Sequence, residues 1–282
     1  MEKTNIRRLV GVLMPFMILV IFQRLGLLLL AMTGLPAVLR DTLAFAAASA
    51  VGIFFFRMSC GTDAVRIAPA PVTDEEEDGA VPPFPERDSP LGRILYTAVC
   101  VGVLIVTMHV VAVAADAQVV EPFEEGTFAA EFVSLVLIHP FLEEYVFRWL
   151  YYRELRPMQP IFAGLAQAVM FAIVHGSVGG MVYALFAGVV LVVAMERSGS
   201  LAVAVVSHML VNLRSFVYLT WLADGVFPQA ALARTVIDFG LVSVGFGALL
   251  GLMVRRGLRE AWKAAEEETD GTDADGNEHE TE

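Results

Sequence analysis

Eight apolar segments constrain the fold of this 282-residue chain more than any other feature of its sequence. A transmembrane helix needs about 20 mostly apolar residues, and each segment approaches or exceeds that length. The segments lie at residues 9–32, 42–59, 93–114, 129–151, 160–176, 179–196, 201–222 and 234–254. The sequence therefore predicts an all-α fold, a polytopic transmembrane bundle of about eight helices, which we number in chain order.

The composition agrees with a membrane protein, excludes a disordered or fibrous protein and argues against an ordinary soluble enzyme. Hydrophobic residues make up 57% of the chain and charged residues 18%, and the mean hydropathy is +0.66. Soluble domains are about 45–50% apolar and about 25% charged. The two cysteines, Cys60 and Cys100, exclude a disulfide framework and the zinc-finger spacings. We expect no cleavable signal peptide, because the first apolar run is too long for one.

The net charge of −12 is concentrated in two polar segments. Seven acidic residues and one arginine occupy residues 71–90, and nine acidic residues without a basic one occupy 264–282. Such segments bury too little apolar surface to fold. We predict four regions: transmembrane helices 1–2 (1–66), an acidic, proline-rich cytoplasmic loop (67–92), transmembrane helices 3–8 (93–258) and an acidic, disordered cytoplasmic tail (259–282).

The distribution of lysine and arginine predicts the orientation of the helices. Basic residues precede helix 1 and follow helices 2, 4, 6 and 8, whereas the loops 115–128 and 177–178 contain none. Arg40 and Arg234 are the exceptions. The pattern predicts a multi-pass protein of the plasma membrane with both termini in the cytoplasm.

Ionisable side chains in three of the apolar segments indicate a functional site, because such residues are costly within a bilayer. Their depths match if the hairpin of helices 4 and 5 projects about 10 Å into the cytoplasm, as judged from a rise of about 1.5 Å per residue. An active site within the membrane is therefore expected. The polar residues are Glu143, Glu144 and Arg148 in helix 4, His175 at the end of helix 5, and His208 and Asn212 in helix 7.

Helical spacing assigns partners to some of these residues. Glu144 and Arg148 are four residues apart with the acid first, which favours an ion pair. Glu143 is turned about 100° away from Glu144 and is left to face another neighbour. His208 and Asn212 share one helix face. His109 and His139 are interpreted as hydrogen-bonded core residues, since no partner at helical spacing is assigned to them.

The site suits hydrolysis of an amide by an activated water molecule. A carboxylate and an imidazole, Glu143 and His175, form a general acid/base pair. His208 and Asn212 offer donors to a developing oxyanion. This chemistry requires no cofactor. A divalent metal such as zinc remains the alternative, with Glu143, His175 and His208 as three ligands of an open site.

The polar residues fall into three spaced motifs, which are Glu143-Glu144-x-x-x-Arg148, Phe171-x-x-x-His175 and His208-x-x-x-Asn212. These motifs resemble those of the CPBP family, the CAAX proteases and bacteriocin-processing membrane proteins that include Rce1-like endopeptidases and the abortive-infection family. The resemblance covers about residues 128–216.

The resemblance implies an intramembrane endopeptidase that cleaves a membrane-associated protein or peptide, including CAAX-type processing. It implies that Glu143 and His175 activate water and that His208 and Asn212 form the oxyanion hole. Glu144 and Arg148 take a supporting role. The lipid bilayer is the other expected partner, and no nucleic acid is expected.

Two other functions remain open from the sequence. A non-catalytic membrane scaffold or regulator would keep the motif as a structural network. A proton-coupled transporter also uses intramembrane glutamate and histidine as a proton relay. We find no repeat between the two halves of the chain, a feature that would have favoured a transporter.

Overall fold

A computed structural model of the protein describes residues 3–61, 88–115, 127–222 and 228–275. These ranges contain helices and no β-strand, which confirms the all-α prediction and the number of eight helices. We number them α1 to α8: Lys3–Leu30, Ala37–Cys60, Pro90–Ala115, a composite helix running from Phe128 to Leu155, Pro160–Ile173, Val178–Ser198, Leu201–Thr220 and Ala230–Asp275.

Within the described ranges, six helices are long and apolar enough to cross a membrane, namely α1, α2, α3, α6, α7 and α8. Their outer surfaces carry large exposed apolar side chains, such as Leu28 and Phe246. The protein is therefore an integral membrane protein. Helices α4 and α5 are not among the six, although the sequence predicts eight spans. Helix α5 has only 14 residues, which rise about 21 Å.

Helix α4 alternates between two helix types, where the sequence predicts one regular helix. Its pieces are α-helix Phe128–Glu131, π-helix Phe132–Ile138, α-helix His139–Glu143, π-helix Glu144–Tyr152 and α-helix Arg153–Leu155. In a π-helix each N–H group bonds five residues back, so the same number of residues spans a shorter distance along the axis. π-Helical turns within α-helices are frequent at functional sites.

An ion pair links the α4–α5 turn to the end of α6. The sequence predicts that the α4–α5 turn projects about 10 Å beyond the α6–α7 turn, a value that assumes α-helical rise. Arg156 Nε donates a hydrogen bond of 2.7 Å to Glu196 Oε1 near the end of α6. The two turns therefore lie within the combined reach of these two side chains, and the projection stays a prediction.

The predicted polar segments lie only partly within the described ranges. Most of the acidic loop 67–92 and the last residues of the tail, 276–282, are outside them. Helix α8 continues to Asp275 and thus includes residues that the sequence assigns to the tail. The extension is rich in alanine and glutamate, which are good helix formers.

Small residues allow α3 and α8 to approach each other closely. A Cβ atom added to Gly245 would lie 2.9 Å from the carbonyl oxygen of Ala98 and 3.1 Å from the Cα of Gly102. Small residues at helix contacts are the usual solution in membranes, where packing replaces the hydrophobic effect. The lack of a side chain at Gly245 therefore allows the backbones of α8 and α3 to pack in direct contact.

We expect Gly245→Ala to lower stability, because the added methyl group meets backbone atoms that cannot rotate away. Overpacking of this kind costs about 1–3 kcal/mol. Thermal unfolding in detergent measures the change. Gly247→Ala is the matched control, since no atom lies within 4 Å of a Cβ added there. Equal melting temperatures for the two variants would show that the α3–α8 contact is not close-packed.

Candidate active site

The imidazole of His208 connects the two adjacent carboxylates of α4. His208 Nδ1 lies 2.8 Å from Glu144 Oε1, and His208 Nε2 lies 3.7 Å from Glu143 Oε2. Residues from α4 and α7 thus meet at one level of the bundle. From the sequence, Glu143 and Glu144 were expected to face different neighbours. In fact they share His208 and differ in their other partners.

Glu144 and Arg148 form the predicted ion pair. Arg148 Nε lies 3.1 Å from Glu144 Oε2, and both side chains are 0% exposed. The guanidinium also stacks on Phe171 of α5, with its carbon 4.0 Å from the ring centroid. Because Glu144 also binds His208, this buried pair ties α4 to both α5 and α7.

His175 lies just beyond the end of α5, where the backbone of Phe171 fixes its ring. His175 Nδ1 is 2.8 Å from the carbonyl oxygen of Phe171, and the two rings are 4.6 Å apart. A carbonyl oxygen only accepts, so Nδ1 carries the hydrogen. The lone pair of Nε2 is then available to accept a proton.

Asn212 binds a backbone carbonyl group in the first π-helical segment of α4. Its Nδ2 donates a 2.8 Å hydrogen bond to the carbonyl oxygen of Leu135. The N–H of His139 bonds to Ser134, and Pro140 has no N–H group, so neither residue takes this carbonyl. An amide nitrogen has two hydrogens, which leaves one for a substrate.

His139 is a site residue that the sequence interpretation missed. Its Nδ1 lies 3.7 Å from Glu143 Oε1, and its Nε2 lies 3.3 Å from the hydroxyl of Thr42 on α2. The prediction that His139 has no partner at helical spacing is therefore wrong. The signal was present, because His139 and Glu143 are four residues apart.

A second polar cluster, which the sequence also did not predict, joins α3, α7 and α8. Asp238 accepts hydrogen bonds of 2.7 Å from Arg214 Nε and from the Tyr218 hydroxyl, and it pairs with His109 at 2.9 Å. These residues line a cavity of about 530 Å³. Asp238 and Arg214 are recognisable in the sequence as ionisable residues of apolar helices. Because they lie on different helices, their spacing in the sequence does not indicate that they pair.

The residues present do not form a convincing metal site. No group of three or more histidine, cysteine, aspartate or glutamate side chains in the described part of the chain is arranged to hold a metal ion. His208 Nδ1 binds Glu144, so Nε2 is the ring nitrogen of His208 that could face a metal. The three ligands predicted for zinc, Glu143, His175 and His208, therefore enter the reaction below only as acids, bases and donors.

Comparison with known families finds one similar family. The Type II CAAX prenyl endopeptidase Rce1-like family model matches residues 125–214. The match includes all three motifs and confirms the resemblance inferred from the sequence. Helices α1, α2, α3 and α8 lie outside it. No curated protein and no solved structure matches the chain significantly.

We expect Arg148→Ala to reduce both accumulation and thermal stability, because it leaves Glu144 buried without its counter-charge. Breaking a buried pair costs about 3–5 kcal/mol. Arg256→Ala is the control, since Arg256 and Glu260 form an exposed pair with the same spacing. Membrane-fraction yield and melting temperature would report the difference. If both variants melt like the unmodified protein, the buried pair does not stabilise the fold.

Proposed function

We propose that this protein is an intramembrane endopeptidase that hydrolyses a peptide bond of a membrane-associated protein or peptide. The observation that carries the proposal is the 3.7 Å contact between the Glu143 carboxylate of α4 and the His208 imidazole of α7. Both residues lie in the segment 125–214, which the Rce1-like family model matches. CAAX-type processing is the finer form of this function, and the family match supports it. We further propose a plasma-membrane location with both termini, and the mouth of the site, in the cytoplasm.

Glu143 acts as the general base in the proposed reaction. Its carboxylate takes a proton from a water molecule, and the Nε2 lone pair of His175 orients that water. The water oxygen forms a bond to the scissile carbonyl carbon and produces a tetrahedral oxyanion. A covalent intermediate is not invoked, because Ser207 is 0% exposed and Cys100 is only 2% exposed.

Asn212 and His208 stabilise the oxyanion. Asn212 donates to the oxyanion with the Nδ2 hydrogen that is not bonded to the Leu135 carbonyl. His208 donates from Nε2 when its ring carries both hydrogens, and the Glu144 carboxylate at Nδ1 supports that charged form. Donors held in place before the reaction stabilise the developing charge without reorganisation.

Collapse of the intermediate breaks the carbon–nitrogen bond. Glu143 returns the proton that it took from water to the leaving nitrogen, which departs as an amine. The other hydrogen of the water remains with the new carboxylic acid product. The base is thereby regenerated, and all atoms and charges balance without an added oxidant or metal.

We expect Glu143→Gln to lower turnover by about 10²–10⁴-fold, since the amide keeps the shape but cannot accept the proton. Asn212→Ala should lose less, near the lower end of the roughly 10²–10³-fold effect of one oxyanion donor. Cleavage of a quenched peptide in detergent gives both rates, and melting temperatures separate chemistry from folding.

Glu144→Gln is the matched control, because it changes the neighbouring carboxylate in the same way. Its activity should fall mainly together with its stability. If Glu143→Gln cleaves normally while Glu144→Gln is folded but inactive, the roles of the two residues are reversed. If both variants are fully active, the peptidase proposal fails and a scaffold or proton-coupled transporter takes its place.

Metal removal tests the proposed water activation separately. After dialysis against a chelator of divalent metals, we expect peptide cleavage to continue at the same rate. Loss of cleavage, restored by adding zinc, would contradict the metal-free mechanism but not the peptidase function. Glu143→Gln should be inactive with or without added zinc.

A further inference from the structure

His139 occupies the space between the proposed base and helix α2. It lies one helical turn before Glu143 on α4, and its side chain is largely buried, with 18% exposed. The two sides of its ring face different partners. Nδ1 points to Glu143, while Nε2 points to Thr42 of α2.

A hydrogen-bond chain from α2 fixes the ring of His139. The Thr42 hydroxyl donates to the carbonyl oxygen of Val38 at 2.7 Å. A hydroxyl has one hydrogen, so in its 3.3 Å contact with His139 the Thr42 oxygen accepts. His139 Nε2 therefore carries a hydrogen. The Val38 carbonyl group orients the Thr42 hydroxyl, and that hydroxyl orients the His139 ring.

An aromatic contact from the same helix fixes the plane of the ring. Phe45 stacks on His139 with centroids 5.2 Å apart and an angle of 11° between the planes. Phe45 itself is buried, so it cannot move away easily. Thr42 and Phe45 together leave His139 with little freedom to turn.

Glu143 is consequently held between two imidazoles. Its Oε1 lies 3.7 Å from His139 Nδ1, and its Oε2 lies 3.7 Å from His208 Nε2. Both separations exceed hydrogen-bond distance, so the two rings flank the carboxyl group as close polar neighbours. Each carboxyl oxygen thus has its own orienting partner.

We infer that His139 is a positioning residue for Glu143, and that Thr42 and Phe45 of α2 act through it. The inference rests on the proposed peptidase function. It assigns a part in the site to α2, which lies outside the segment 125–214 that the family model matches. Residues that orient the ligands of metal sites contribute about 10–100-fold to activity, and we expect an effect of the same order for a residue that orients a base.

The test compares His139→Phe with the unmodified enzyme. Phenylalanine keeps the stacking on Phe45 and removes both nitrogens. We expect kcat to fall about 10–100-fold with KM changed less than twofold, because misorientation of a reacting group affects the chemical step. His139→Asn restores a polar group near the position of Nδ1 and should recover part of kcat. His109→Phe, the same change outside the site, should leave both constants unaltered.

A double-mutant cycle separates this inference from the peptidase proposal. Melting temperatures are measured for His139→Phe, Glu143→Gln and the double variant. Contacting side chains give non-additive effects, whether or not the protein is an enzyme. Non-additivity with no cleavage by the unmodified protein would support the contact and contradict the function.

Normal kcat in His139→Phe, together with additive melting temperatures, would overturn the inference while leaving the peptidase intact. If His139→Phe does not accumulate, Thr42→Val replaces it as the test, since it removes only the hydroxyl that anchors the ring. A kcat unchanged in well-folded Thr42→Val would then contradict the role of α2.

Discussion

The buried ion pair of Glu144 and Arg148 is the interaction on which the rest of the site depends. Two charges without solvent are stable only if each is neutralised and surrounded by further favourable contacts. Phe171 supplies the aromatic face for the guanidinium, and His208 supplies a hydrogen bond to the carboxylate. These partners come from α5 and α7, so satisfying one pair of charges sets the relative positions of three helices.

The helices of this fold could be predicted from apolar length, but the irregularity of α4 could not. Length and hydropathy locate eight helices, and Ser198-Gly199-Ser200 marks the α6–α7 turn, where Gly199 adopts a φ of 61°. In the first π-helical segment, Pro140 lacks the N–H group that would bind the Leu135 carbonyl, and Asn212 donates to that carbonyl instead. Asn212 lies 77 positions after Leu135 in the sequence, so no local sequence pattern indicates this contact.

The same distinction between local and distant partners explains which site residues the sequence could indicate. Glu144 with Arg148 is visible as a spacing of four residues. The partner of His139 on α2, Thr42, is 97 residues away, and the partner of His109 on α8, Asp238, is 129 residues away. Only packing of whole helices brings such pairs together, so a single sequence carries no direct sign of them.

The environment, and not the residue type, separates the roles of the two neighbouring glutamates. Glu144 has a side chain with 0% exposure, and a permanently charged arginine compensates it in every state of a reaction. The side chain of Glu143 is 11% exposed and faces imidazoles, which themselves gain or lose protons. A carboxylate locked to an arginine gains little from accepting a proton, because protonation would strand the buried guanidinium. Glu143 has no such constraint, so in the proposed reaction its charge changes without breaking the ion pair that holds the helices together.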